Sequence, residues 1–293
     1  MSTSNRLNHA FTNALELPLG ANTKYVLVSD CHRGVGTSSD NFLKNQHLYF
    51  AALKHYYHNG FSYIELGDGD ELWENRNMES IIEVHSDVFW LFSLFYKENR
   101  LYMIYGNHDM IKKKKRYSKK KCGSYFCTES QKKQPLFPNL TFHEGIILRS
   151  SKAPSKALYL THGHQASLLN STFWPLSQFF VRYFWRPLEN FGVLDPTSAA
   201  KNYHVKHKTE ERLNKWATDC QKTLITGHTH RPVLPEEPAY YYNTGSCVHP
   251  RCITCIEIEN CSLTLVKWSM SSKADSTLYV AREVLSGPVQ LFR

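Results

Sequence analysis

Five stretches of this chain end an apolar run in side chains that can bind a metal or move a proton. Tyr25–Ser29 runs into Asp30-Cys31-His32, Tyr63–Leu66 into Gly67-Asp68, and Tyr102–Tyr105 into Gly106-Asn107-His108-Asp109. Leu158–Thr161 opens into His162-Gly163-His164, and Thr223–Thr226 into Gly227-His228-Thr229-His230. Each reads as a buried strand emptying into a loop, where catalytic groups gather. Asp30 and His32, like His228 and His230, are two residues apart, so on an extended strand end each pair projects to one side and can hold one cation. Asp68 can bridge two cations through its two oxygens, Asn107 offers a neutral carbonyl oxygen, and His162 adds an imidazole. These seven donors mix hard and borderline character, which suits manganese, iron or zinc better than calcium.

Taken singly, each donor has a plainer explanation. A buried histidine is usually a hydrogen-bonded core residue, Asp68 before a glycine can close a turn, and Asn107 can cap a helix. Five such explanations would have to hold together, each at the end of an apolar run, so a polynuclear metal site is the better reading. Two cations about 3.5–4 Å apart acidify a shared water and neutralise charge on phosphoryl oxygens, which in-line attack on an anionic ester requires. An imidazole beside them supplies the proton that a departing alkoxide lacks.

The series Asp30-x-His32, Gly67-Asp68-x-x-Glu71, Gly106-Asn107-His108-Asp109, His162-Gly163-His164 and Gly227-His228-Thr229-His230 resembles the calcineurin-like metallophosphoesterase superfamily in order and spacing. The resemblance implies an α/β fold, a four-layer α/β/β/α sandwich, with two divalent metal ions, manganese first and iron or zinc as alternatives. It implies one metal on Asp30, His32, Asp68 and His230, the other on Asp68, Asn107, His162 and His228, and a bridging hydroxide that attacks a phosphomonoester, phosphodiester or pyrophosphate bond. It places His108 off the metals, facing the phosphate as proton donor, with Asp109 and Glu71 as the other catalytic candidates. Many members have Asp where this chain has Glu71, and Asp70 stands beside it, so the residue that orients His108 is left open. His164 either supports the ligands or adds to them.

The elements that must position these residues alternate in the first 110 positions, as in a layered α/β sheet. Residues 1–22 read as an arm without period. A helix runs from a cap at Ser39 or Asp40 to about Asn59, with Gly60 as its stop, and a second runs from Met78 to about Lys97. Two β runs are expected at 140–149 and 157–161, then an inserted helical cap at 165–222. The segments at Tyr240–Tyr242, Cys252–Glu259 and Leu263–Trp268 read as the antiparallel end of a sheet, and the last fifteen residues carry no pattern. Residues 1–293 are taken as one domain with the cap inserted. In that cap Phe173, Leu176, Phe180 and Phe184 lie at helical spacing, which reads first as an amphipathic helix packed on the domain. Together with Thr226–Pro232, the cap is similar to the UDP-2,3-diacylglucosamine hydrolase branch of the superfamily, although that branch usually has Arg where this chain has His108.

The chain has 293 residues, 42% of them hydrophobic, and a formal net charge of +9. Lys112–Lys133 holds ten Lys or Arg and one acid, so the whole excess sits in one segment. That segment, 112–135, reads as a basic loop or excursion at the rim of the site, solvated or attracting phosphate. Its thin interleaving of Tyr117, Tyr125 and Phe126 makes a nucleic-acid partner the less favoured alternative. The expected partner is a phosphorylated small molecule or an amphiphile, with contact at a membrane surface compatible and a spanning segment not expected. A protein-binding scaffold would tolerate broken ligand sets, and all seven donors are present. The eight cysteines lack the density of a disulfide framework, and neither a secretory h-region nor an uninterrupted run of about 18 apolar residues is present, so a cytoplasmic protein with reduced thiols is expected. Cys252 and Cys255 point to opposite faces of a strand and read as small buried residues. Gly34-Val35-Gly36 reads as a turn.

Overall fold

The computed structural model describes residues 2–37, 40–127, 130–150, 156–185 and 202–291. Two sheets dominate it. The larger has seven strands in the order β14 (Leu278–Gln290), β13 (Ser262–Ser272), β12 (Cys252–Glu259), β2 (Lys24–Val28), β3 (Ser62–Leu66), β4 (Leu101–Ile104) and β7 (Phe142–His143). The smaller runs β1 (Leu15–Leu19), β8 (Gly145–Ser150), β9 (Ala157–Thr161), β10 (Thr223–Thr226) and β11 (Tyr241–Asn243). Leu27, Ile64, Ile104, Ile146, Leu160, Ile225 and Ile256, drawn from both sheets, form one buried cluster between them. β2, β3 and β4 are buried almost throughout, as strands covered on both faces must be.

Helices cover the outer faces. Helices α2 (Gln46–His58), α3 (Met78–Val84) and α4 (Ser86–Lys97) place Leu53, Tyr56, Ile81, Phe92 and Phe95 against the seven-stranded sheet. On the other side α1 (Thr3–Thr12) and the helix Tyr203–Asp219 bury Leu7, Phe11, Leu213 and Trp216 against the five-stranded sheet. The order is helix, sheet, sheet, helix, the four-layer α/β sandwich that the sequence implied.

Several local expectations change. The first 22 residues are no arm: Ser2 caps α1 by accepting from the Asn5 amide, Phe11 stacks on Trp216 at 5.8 Å, and β1 pairs with β8. The pattern from Met78 to Lys97 breaks at His85 into two helices, with that imidazole turned onto Asp40 at 3.2 Å. The Asp40 carboxylate also accepts from the amides of Gly34, Gly36, Phe42 and Leu43, which fixes Gly34-Val35-Gly36 as a turn. The run at 140–149 divides between the two sheets as β7 and β8. Tyr241 and Tyr242 pair in parallel with β10 in the smaller sheet, rather than joining the antiparallel end. The last fifteen residues belong largely to β14, an edge strand; its alternation is hidden because most of it is exposed on both faces.

The basic segment is an excursion with secondary structure of its own rather than a loop. It forms a 3₁₀ turn at Met110–Lys113, helix α5 (Lys115–Lys121) and the hairpin of β5 (Ser124–Cys127) with β6 (Lys132–Pro135). The insertion begins with short helices α6 (Leu168–Ser171) and α7 (Trp174–Phe180) and a π-helical turn at Val181–Trp185. Residues 186–201 of the expected insertion, and the side chain of Phe184, lie outside what is described.

Candidate metal centre

The five loops leave the carboxyl ends of β2, β3, β4, β9 and β10, the end of an α/β sheet where ligands bind. Backbone hydrogen bonds lace them together: the Asp30 amide donates to Gly67 O at 3.1 Å, that of His32 to Asp68 O at 2.9 Å, and that of Gly227 to His162 O at 3.0 Å. A β-carbon on Gly106 would overlap the Asp68 carboxylate, and one on Gly227 would overlap Ser29 and Asp30, so only glycine lets the loops close this far. Asp30, His32, Asp68, His228 and His230 all have φ between 49° and 68°, the left-handed region that costs a side-chain-bearing residue energy. Strain concentrated on five neighbouring residues is a mark of a functional site.

The structure brings the sequence-selected residues together in adjoining groups. Donor atoms of Asp30, His32 and His230 lie within 4.8 Å of one another, and so do those of Asp68, His162 and His228. Each of the two acids, Asp30 and Asp68, is half tied down and half presented. Asp30 Oδ2 accepts from Ser29 Oγ and from the His228 amide at 2.9 Å, while Oδ1 lies 3.1 Å from His230 Nε2 and 3.9 Å from His32 Nε2. Asp68 Oδ1 accepts from the His108 amide at 2.8 Å, and Oδ2 lies 3.1 Å from His162 Nε2 and 3.9 Å from His32 Nε2. A single oxygen of Asp68 therefore faces both groups, where the sequence suggested one oxygen for each.

The hydrogen bonds on the far sides of the rings decide what the near sides offer. His162 Nδ1 faces the Leu66 carbonyl at 2.8 Å and can only donate to it, so a neutral ring presents the Nε2 lone pair to Asp68 Oδ2 and to Asn107 Oδ1 at 3.2 Å. His32 Nδ1 lies 2.9 Å from Glu71 Oε2, which aims Nε2 at His230 Nε2 only 3.3 Å away. Lone pairs that converge like this repel one another unless a proton or a metal cation stands between them. Asp30 Oδ1 and His228 Nε2 are buried without hydrogen-bond partners, which a folded interior tolerates poorly. On geometry and donor chemistry the residues present fit divalent-cation binding.

The electrostatics agree. Burial opposes ionisation of Asp30, Asp68 and Glu71, but the surrounding imidazoles outweigh it and hold all three below the usual carboxylate range. Burial also opposes protonation of His32 and His162, yet the nearby carboxylates push these rings up to about 10 and about 9. A field that retains protons so strongly also attracts metal ions. His228 is pushed down to about 3 by burial and by His162, and so is a neutral nitrogen donor.

Glu71, rather than Asp70, holds His108: its carboxylate lies 2.8 Å from His108 Nδ1 and also grips His32. Asp70 instead ion-pairs with Arg33 at 2.7 Å and with Lys112 at 2.5 Å in a buried network that includes Glu65. Asp109, a catalytic candidate by sequence, has both oxygens engaged, by the Gly106 amide at 2.7 Å and by Lys112 Nζ at 2.8 Å. That geometry makes it a positioning residue for the loop of Asn107 and His108. Among the described residues His164 belongs to none of the metal-capable groups; it is buried beside His162, and burial lowers its pKa. Sequence reasoning missed Trp73, whose ring stacks on His108 at 4.3 Å, and Lys112, concealed in a run of lysines. The place of Trp73, two residues after Glu71, was the available signal.

The insertion reaches this site. Arg182 donates to the carbonyls of Trp73 and Leu72 at 2.6 and 2.9 Å, and Gln178 donates to Leu72 O at 3.2 Å. Arg182 is thereby a strut rather than a free anion ligand. None of the residues of α7 is buried, contrary to a helix packed on the core: Phe173, Leu176, Phe179 and Phe180 are all exposed, with Leu168 and Leu169 beside them in sequence.

The calcineurin-like phosphoesterase family profile matches residues 23–232, which spans all five loops, and the chain belongs to that family. No curated protein matches it. Among solved structures, Vps29 from Chaetomium thermophilum aligns over 90% of this chain and 96% of its own, at 12% identity and a TM-score of 0.39.

Proposed function

We propose that this chain hydrolyses a phosphoester with two divalent cations, one held by Asp30, His32, Asp68 and His230 and the other by Asp68, Asn107, His162 and His228. Manganese is the first expectation, with iron or zinc as alternatives. The observation that supports this reading is the gathering of donor atoms into two adjoining groups, with Asp68 Oδ2 3.1 Å from His162 Nε2 in one and 3.9 Å from His32 Nε2 in the other. When bound, such cations acidify water and neutralise phosphoryl charge.

The protein's own part is to aim and to give a proton. Burial disfavours the charged form of His108, but Glu71 and Asp68 outweigh it and raise its pKa. With Nδ1 turned to Glu71, the ring keeps a proton on Nε2 for a departing alkoxide. The indole of Trp73 fixes the ring plane. The exposed apolar residues of 168–180, anchored on the Leu72–Trp73 backbone, favour a substrate with an apolar portion. That ledge also supports, as a second reading, pyrophosphate cleavage of the UDP-2,3-diacylglucosamine hydrolase kind.

Turnover of aryl phosphates, aryl phosphodiesters and nucleotide diphosphate sugars, measured with and without manganese, tests the proposal. Metal-stimulated hydrolysis of at least one class is expected, faster for acylated members of that class. Absence of metal-dependent turnover across the panel would overturn it.

A further inference from the structure

A second cavity, of about 610 Å³, opens on the helical layer, and none of its lining residues belongs to the groups around Asp68. One wall is a single face of α3 and α4, where Glu79, Ile82, Glu83, Ser86, Asp87 and Trp90 recur at three- and four-residue spacing. The other comes from α5 and the β5–β6 hairpin, with Lys120, Phe126 and Lys133. Phe126 and Lys133 are register partners in that hairpin, so their side chains rise from the same face. The basic segment that dominates the charge of the chain thus builds a wall of this cavity.

Three features describe an occupant. Trp90 and Phe126 leave more than half of their surface uncovered, at 54% and 56%, which a soluble surface seldom does with two large rings in one cavity. Among the described residues the side chains of Glu83, Lys120 and Lys133 make no hydrogen bond or ion pair, while Glu79 is taken by Lys121 and one oxygen of Asp87 accepts from Gln46. The free charges are segregated, acids on the helical wall and lysines on the hairpin wall. A simple anion would satisfy the lysines and meet repulsion from the acids, and a simple cation would do the reverse. A planar ring with N–H donors at one end and an anionic group at the other satisfies both walls and both aromatic side chains.

We infer that this cavity binds a mononucleotide with an amino-bearing base. The base lies against Trp90 and Phe126, its exocyclic amine donates to Glu83 and Asp87, and its phosphate pairs with Lys120 and Lys133. Adenine fits this pattern. Uracil lacks the amine and turns carbonyl oxygens toward the acids.

Calorimetric titration of the full chain with AMP, UMP and inorganic phosphate tests the inference. AMP should bind about tenfold more tightly than either of the others, because only AMP uses all three elements of the cavity. Trp90→Ala, and separately Lys120→Ala with Lys133→Ala, should weaken AMP by about tenfold while p-nitrophenyl phosphate turnover and the melting temperature stay unchanged. Asp68→Asn should leave AMP binding intact. Equal affinity for the three ligands would overturn the inference. Loss of AMP binding in Asp68→Asn but not in Trp90→Ala would also overturn it, by placing the nucleotide at the metal centre.

Discussion

The loops around Asp68 and the helical segment 168–185 are joined through Arg182 and Gln178, yet they are built on opposite terms. In the loops, the acids and the imidazoles of His162, His164 and His228 are buried, several acid oxygens have two partners, and five residues are held in left-handed backbone. In the segment, large apolar side chains face outward and α7 buries none of its residues. The loops are held rigidly enough to impose strain and to crowd lone pairs, as preorganised chemistry demands. Among the described residues the segment is tied to the loops by hydrogen bonds from Gln178 and Arg182 to the Leu72–Trp73 backbone and by the contact of Tyr183 with Arg76. Under the proposed function, chemistry and selectivity would fall to separate parts of the fold.

The contrast breaks most visibly at His108. His108→Ala should lower kcat on alkyl phosphates by about 10²–10⁴ while metal content stays unchanged, because the proposal makes the ring a proton donor and not a ligand. The loss should shrink for nitrophenyl esters, whose leaving group departs without a proton. An equal loss on both substrates would exclude that role.

Beneath the loops, Lys112→Met should destabilise the fold by about 3–5 kcal/mol, since it leaves Asp70 and Asp109 buried beside an uncharged chain. The pH dependence has a definite sign. Burial would raise the Asp70 pKa, but Arg33 and Lys112 outweigh it and hold it down at about 2. An unfolded aspartate titrates near 3.9, so this stabilisation is complete above about pH 4 and fades as pH falls toward 2. In Lys112→Met the acid transition should begin at a higher pH, which thermal melts across that range would show.

The smallest structural effect belongs to the helical segment. Phe179→Ser with Phe180→Ser should change stability by no more than about 0.5 kcal/mol, the usual range for exposed positions. It should still raise KM for an acylated phosphoester and leave a small aryl phosphate unaffected. A fall in melting temperature with uniform loss on every substrate would make the segment part of the core instead.

The site was legible in the sequence because strand ends with short polar motifs are local signals, readable at a spacing of two or three residues. Asp30, His32, Asp68, Asn107, His162, His228 and His230 could be chosen before any fold was known. What held them was not legible. Glu71 reaches His32 across 39 positions and His108 across 37, and no local pattern distinguishes it from Asp70. Lys112 looked like one more solvated lysine, although it is buried between two acids. The layered α/β fold followed from alternating apolar runs. Residues 1–22 and β14 were missed because their partners, β8 and Trp216 for the first and β13 for the second, are distant in sequence and leave no periodic trace.

The proposed dependence of two cation positions on one carboxylate is tested most directly by elemental analysis of the purified protein beside Asp68→Ala. The wild-type chain should carry close to two divalent ions. The variant should lose both, with its melting temperature no longer raised by added manganese. Retention of one full equivalent would contradict a shared Asp68, and retention of two would remove Asp68 from the metal centre.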